Sequence, residues 1–236
     1  MAAVTLLQAR GLTRRFGGLT AVDHVDFDLP EGQIRAVIGP NGAGKTTLVG
    51  MLSGRIRASE GTVRFAGEDI SRLPAHARVR RGMAYTFQIT SVFARLSVFE
   101  NVALAVQRQG HAGIEERVMA ALERVGMASR ADHVAGDLSY GHQRLVEIAM
   151  GLGLAPRLLI LDEPTQGLAD GEIAAFIDLI RDVARDATIL LIEHNMDVVM
   201  ALAERITVLD FGTILAEGTP AEIHANHAVQ AAYLGA

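Results

Sequence analysis

The sequence predicts an α/β fold, a largely parallel sheet flanked by an antiparallel β portion and interrupted by an inserted helical portion. Three observations predict it. Short apolar runs with β-branched residues alternate with helix-period segments at the two ends of the chain, which is the signature of parallel strands joined by helices. Val25, Phe27 and Leu29 alternate with His24, Asp26 and Asp28 as in a half-buried antiparallel strand. Between the two α/β blocks, residues 89–150 change to helical periodicity. The expected organisation is one domain over 1–236, with a core from 1–88 and 151–236 and a helical insertion over 89–150.

Taken in order, the alternating segment from His24 to Leu29 is expected at a sheet edge. Ile34 to Ile38 is a short apolar run ending at Gly39, and Thr46 to Leu52 reads as a helix, which gives strand, glycine loop, helix. Val63 and Phe65 indicate a further strand, and Ala84 to Phe87 another that leads into Gln88. Ser97-Val98-Phe99-Glu100 has the form of a capping box, and Ile114, Val118, Ala121, Leu122 and Val125 recur at helical spacing. From Leu158 the alternation resumes. Leu158 to Leu161, Thr188 to Ile192 and Ile206 to Leu209 read as strands, and Ile173, Phe176, Ile177 and Ile180 mark an amphipathic helix.

Composition narrows the function. Half of the 236 residues are hydrophobic and 21% are charged, so a folded core is expected throughout. The long apolar stretch around Leu145 to Leu161 is broken by Glu147, Pro156 and Arg157, short of the roughly 20 apolar residues of a membrane span. Met1 to Gln8 lacks the basic and apolar regions of a secretory signal, and a cytoplasmic location is expected. The absence of cysteine excludes disulfides, thiolate metal sites and a thiol nucleophile. A formal charge of −5 argues against nucleic acid as a partner. Arg78, Arg80 and Arg81 form a basic cluster that reads as a solvated face near a turn. Against 21 arginines stands a single lysine, Lys45, in a glycine-rich loop. A compact ammonium fits there where a planar guanidinium would not.

That loop, Gly39-Pro40-Asn41-Gly42-Ala43-Gly44-Lys45-Thr46, satisfies G-x-x-x-x-G-K-[ST] between an expected strand and an expected helix. Its glycines let successive amides curl around a phosphate, and the helix that follows aims the positive end of its dipole at the same anion. Lys45 is expected to reach the β- and γ-phosphates, Thr46 to ligate Mg²⁺ and Thr47 to donate to the α-phosphate, in a P-loop nucleoside-triphosphatase core of RecA-like type. Leu158-Leu159-Ile160-Leu161-Asp162-Glu163 is an apolar strand ending in two carboxylates, where a parallel sheet opens onto its ligand crevice. Asp162 is expected to hold Mg²⁺ through water, and Glu163 to act as general base toward the attacking water.

The phosphate loop, Leu138-Ser139-Tyr140-Gly141-His142-Gln143, Asp162-Glu163-Pro164 and Glu193-His194 occur in the order and approximate spacing of ABC transporter ATPases, which the whole chain resembles. The resemblance implies a Mg²⁺-dependent ATPase that works as half of a nucleotide-sandwich dimer. The segment from Leu138 to Gln143 resembles the LSGGQ signature, so Ser139, Gly141 and Gln143 are expected to meet the ATP held by the partner subunit. Tyr140 departs from the pattern by replacing the second signature glycine. Gln88 resembles the Q-loop glutamine that senses Mg²⁺ and the γ-phosphate, His194 the switch histidine at the γ-phosphate, and Phe16 the ring that stacks on adenine. Ala169 stands where many members carry the D-loop aspartate, with Asp170 beside it.

Arg15-Phe16-Gly17-Gly18, Tyr85-Thr86-Phe87-Gln88, Tyr140-Gly141 and Glu193-His194-Asn195-Met196 further resemble the branched-chain amino-acid importer ATPases and their amide and urea relatives. Implied partners are transmembrane permease subunits, a second identical or different ATPase subunit and, indirectly, a solute-binding protein. The implied place is the inner face of the cell membrane. Two other classes fit the motifs: an ABC-type ATPase of a non-transport or lipid-export machine, and a P-loop small-molecule kinase. Because Lys45 is the sole lysine, an amine-selective reagent should label Lys45 and the N-terminus alone. ATP should protect Lys45, as read by peptide mass spectrometry, and unprotected labelling would contradict the phosphate-loop assignment.

Overall fold

The computed structural model describes residues 4–86, 91–110 and 112–234. In chain order the elements are β1 (Thr5–Phe16), β2 (Leu19–Pro30), β3 (Ile34–Ile38), α1 (Lys45–Ser53), β4 (Glu60–Phe65), β5 (Glu68–Asp69), α2 (Ala75–Val79), β6 (Met83–Thr86), α3 (Val98–Val106), α4 (Ile114–Arg124) and α5 (Tyr140–Gly153). They continue with β7 (Leu158–Asp162), α6 (Asp170–Val183), β8 (Thr188–Ile192), α7 (Met196–Leu202), β9 (Arg205–Asp210), β10 (Thr213–Gly218), α8 (Pro220–His224) and α9 (His227–Leu234). The strands form two sheets. One is antiparallel, in the order β2-β1-β4-β5; the other runs β10-β9-β3-β8-β7-β6 and is parallel except for its β9–β10 hairpin.

All five residues of β3, β7 and β8 are buried, so these strands lie at the centre of the large sheet and need apolar side chains on both faces. One face packs against α1 and the antiparallel sheet through Leu48, Leu52, Phe27, Ile160 and Leu190. The other packs against α3, α5 and α6 through Val102, Ile148, Phe176, Leu159 and Leu191. Each buried aliphatic side chain of this kind contributes about 1.5–3 kcal/mol relative to exposure. The parallel register sets Val37 and Asp162 on either side of Ile192, which brings the carboxyl ends of β3, β8 and β7 side by side.

The edge strand expected at His24 to Leu29 is β2, extended back to Leu19. β1, its partner, had no expectation in the sequence, because register shifts at Thr5/Leu7 and Ala9/Leu12 break its period of two and bury neighbours such as Leu6 and Leu7 together. The strand from Ala84 ends at Thr86, and the expected Phe87 and Gln88 lie outside the described residues. The capping box at Ser97 is present in full, with both the Glu100 amide donating to Ser97 Oγ and the Ser97 amide donating to Glu100. The division expected after residue 150 falls inside α5, which runs unbroken to Gly153 because its apolar face, with Val146, Ile148 and Ala149, stays in the core.

Arg78 corrects the expectation of a solvated basic face. It is buried, and its guanidinium donates to the carbonyls of Met51 and Leu52 at 2.8 and 2.7 Å and of Leu73 at 3.0 Å. These include the last carbonyls of α1, so a cation satisfies a helix C-terminus from inside the protein. Burial pushes the Arg78 guanidinium down to about 10. Gly54, at φ 79°, leaves room for it, since a β-carbon there would lie 2.6 Å from Arg78 Nε. Arg80 and Arg81 are exposed as expected. Arg78→Ala removes the buried donor shared by these carbonyls and should lower stability by roughly 2–4 kcal/mol, read from urea denaturation, whereas Arg80→Ala should change it by less than about 0.5 kcal/mol.

Candidate functional site

The loop from Gly39 to Gly44 leaves the end of β3 and enters α1 through three left-handed glycines, Gly39 at φ 151°, Gly42 at 81° and Gly44 at 100°. Two of them also have no space for a side chain. A β-carbon on Gly39 would lie 2.1 Å from the Leu209 carbonyl oxygen, and one on Gly44 2.4 Å from that of Ala21. Gly44 caps α1 with no side-chain hydrogen bond, so the amides of its first turn keep their donors for a ligand. Lys45 Nζ donates to the carbonyls of Gly39 and Pro40 at 2.7 and 3.0 Å. Burial pushes its ammonium below the usual lysine range, and the charges of Glu163 and Asp162 pull the other way.

Ala21, Asn41, Gly42, Ala43, Gly44, Lys45, Thr46, Thr47, Glu163 and His194 line one cleft of about 320 Å³. Its donors are backbone amides, an ammonium and two hydroxyls facing a helix N-terminus, a set suited to a polyphosphate. Glu163, the first residue after β7, has φ 47°, a left-handed conformation that costs a non-glycine residue about 1–2 kcal/mol. Its Oε1 lies 2.7 Å from His194 Nε2. A carboxylate accepts hydrogen bonds, so an imidazole with its proton on Nε2 is the tautomer that would donate in this contact.

Asp162 is buried at the end of β7 and accepts a hydrogen bond from the Tyr85 hydroxyl. Burial raises its carboxyl above the usual aspartate range, the tyrosine hydroxyl opposes the rise, and the charge of Glu163 adds to it. The Arg55 guanidinium lies 4.4 Å from the centre of the Tyr85 ring. Asp162 and Thr46 supply oxygen donors of the kind Mg²⁺ takes with phosphate and water. No cluster of three or more metal-ligating side chains occurs among the described residues. This donor set fits an ion held mainly by a nucleotide's phosphates.

The backbone of this turn is secured by side chains that were not singled out in the sequence. Arg144, in α5 and 1% exposed, donates to the carbonyls of Asp162, Glu163 and Pro164 at 3.2, 2.7 and 3.1 Å, and to Glu147 at 2.6 Å. The helix that begins at the signature-like segment is thereby fixed to the turn bearing the two carboxylates. A buried arginine and glutamate three residues apart on an apolar helix face are the one signal that could have revealed it.

At the start of α5, Ser139 is the N-cap, and its Oγ is 2.8 Å from His142 Nδ1. Gly141 is buried, and a β-carbon there would lie 2.4 Å from Glu172 Oε1. The Tyr140 ring packs over Gly167, where a β-carbon would lie 3.1 Å from the ring. Gln143 turns back to donate to the Leu138 carbonyl at 3.1 Å, and His142 occupies the fifth place counted from Leu138. This segment does not line the cleft that holds Lys45 and Glu163. Phe16 ends β1 half-exposed, one face covered by the Arg14 guanidinium 4.4 Å from its centre. Ala169 caps α6, its amide donating to Glu172 at 2.9 Å, and Asp170 is exposed beside it. Gln88 lies outside the described residues.

The fold and the cleft define a P-loop nucleotide-binding protein. The family model described as ABC transporter matches residues 22–166, and one described as branched-chain amino acid ATP-binding cassette transporter matches residues 213–236. The chain is 40% identical over 250 residues to the high-affinity branched-chain amino acid transport ATP-binding protein BraF of Pseudomonas aeruginosa, with 98% of each chain covered. It is 39% identical over 249 residues to LivG, of the same description, from Salmonella typhimurium, again with 98% of each covered. The solved ADP conformation of an ATP-binding cassette of an ABC transporter superposes with a TM-score of 0.88 at 27% identity, covering 99% of this chain and 100% of that one. The chain belongs to the ABC transporter family, as an ATP-binding and ATP-hydrolysing subunit that energises transport.

Arg144→Met should destabilise the chain by roughly 3–5 kcal/mol, because it removes one member of a buried ion pair and the donor to three carbonyls, and the double variant R144M/E147L should recover part of that loss in chemical denaturation.

Proposed function

We infer that this subunit drives import of branched-chain or related amino acids or amides by hydrolysing ATP between two ATPase subunits, on the cytoplasmic face of a membrane-embedded permease. The observation that carries the chemistry is the 2.7 Å contact between Glu163 and His194 across from the phosphate loop in a single cleft. Support for the cargo class comes from the relatives' descriptions and from the match over residues 213–236. The cargo itself is handled by the permease and, upstream, by a solute-binding protein.

In this reading the amides of residues 41–46 and the start of α1 cradle the β-phosphate, and Thr47 donates to the α-phosphate. Lys45 exchanges its bonds to the Gly39 and Pro40 carbonyls for the β- and γ-phosphate oxygens. Phe16 stacks its open face on adenine. Thr46, Asp162 through water and Gln88 would hold Mg²⁺, which would supply positive charge to neutralise the triphosphate. Glu163 accepts a proton from the water that attacks the γ-phosphorus, while His194, protonated on Nε2, orients the Glu163 carboxylate and supports the γ-phosphate. Ser139, Gly141 and Gln143 of the second subunit close over that phosphate. Nucleotide favours the closed dimer only through its higher affinity for that state, and hydrolysis releases it.

No helix among the described residues is long and apolar enough to cross a membrane, which accords with membrane attachment through permease subunits. Glu163→Gln should reduce turnover by at least about 100-fold while keeping ATP affinity and accumulating a dimer with ATP. Phosphate release, nucleotide binding and light scattering read the three effects. Unchanged turnover would remove Glu163 from the proposed role.

A further inference from the structure

Glu193 is a carboxylate with 3% exposure, the first residue after β8, and it is not among the residues that line the phosphate cleft. Burying such a group is costly unless its lone pairs are satisfied. Here four donors satisfy them. Oε1 accepts from the Thr165 amide at 3.0 Å and from the Thr165 hydroxyl; Oε2 accepts from the His194 amide at 2.7 Å and the Asn195 amide at 3.0 Å.

These donors belong to two different loops. Thr165 lies two residues after Glu163 on the loop leaving β7, and His194 opens the loop leaving β8. One rigid, planar carboxylate therefore bridges the two backbone segments whose side chains, Glu163 and His194, meet at 2.7 Å. The Glu163 amide donates to the Ile192 carbonyl at 2.8 Å, which ties the same two loops one residue closer to the sheet. On the opposite side of the turn, Arg144 holds the carbonyls of residues 162–164.

We propose that Glu193 is a positioning residue, whose buried carboxylate clamps the β7 and β8 loops together and thereby sets the geometry of the Glu163–His194 pair. The proposal rests on the reading of that pair as the hydrolytic centre. The acceptor must be anionic and two-sided. A glutamine at this position presents an NH₂ to one of the two donor pairs, so one loop loses its anchor while size and shape are kept. Misplacing a reacting group by a fraction of an ångström costs far more in turnover than in binding.

Glu193→Gln in the full chain should lower kcat by about 10- to 100-fold with KM for ATP changed less than about twofold. Long-range nitrogen–proton spectra of the histidine rings supply a readout independent of activity. His194 is assigned by the signal lost in His194→Ala, and Glu193→Gln should displace it toward its position in Glu163→Gln. Thr165→Val keeps the charge and removes one donor. It should lower kcat by about threefold and move the same signal part of the way, which preserves the test if Glu193→Gln does not fold. A wild-type kcat in either folded variant, or a reduced kcat with the His194 signal unmoved, would overturn the clamp. Full turnover by His194→Ala would instead overturn the reading of the Glu163–His194 pair, whatever Glu193 does.

Discussion

The structure depends on the parallel pairing of β3, β8 and β7. Those three buried strands fix the carboxyl ends from which the phosphate loop, the His194 loop and the Glu163 loop depart. A slip of one residue in any pair would carry the terminal side chains to the opposite face of the sheet and separate the groups that meet in the cleft. Close packing on both faces opposes such a slip, because a shifted strand would present side chains of the wrong size to each core. The functional loops can hold costly conformations because the strands beneath them are packed in the core on both faces. The left-handed Glu163 and the triple left-handed glycine turn are both of this kind.

Buried charge is used here to hold backbone. Arg78 caps α1 from inside, Arg144 holds three consecutive carbonyls from the last residue of β7 onward, and Glu193 gathers amides from two loops. In each case the charged group meets backbone at the end of a helix or strand or in the loop beyond it, where the regular hydrogen-bond pattern stops. Charge-assisted hydrogen bonds are stronger and shorter than neutral ones, which suits them to fixing loops that must keep one shape through a catalytic cycle. The arrangement also explains why α5 continues across the expected boundary at residue 150: its Arg144 and Glu147 belong to the core site as much as to the helical insertion.

In a single copy the signature-like segment is not among the residues that line the phosphate cleft. Lys45, Glu163 and His194 share one cleft, whereas Ser139 and Gly141 begin a helix packed on α6 through Glu172. Such a division is what a site completed by a second subunit requires. Tyr140, which replaces a signature glycine, spends its ring on Gly167 within the same chain, so the departure from the family pattern has a packing partner.

Elements whose chemistry is local are legible from the residues alone. A glycine loop between strand and helix, an apolar strand ending in two carboxylates, and a helix opened by a capping box are set by residues adjacent in the chain, and all three stand where expected. Features that depend on distant partners emerge only in the folded chain. β1 was illegible because bulges erased its alternation, and Arg78 read as solvated because the carbonyls it serves lie 26 and 27 residues away. The partnerships of Tyr85 with Asp162, of Arg144 with the turn after β7 and of Glu193 with Thr165 bring together residues 77, 18 to 20 and 28 positions apart. Local pattern records what a residue does for its own strand or helix. Which buried charge meets which backbone group is fixed only when the sheets and helices close on one another.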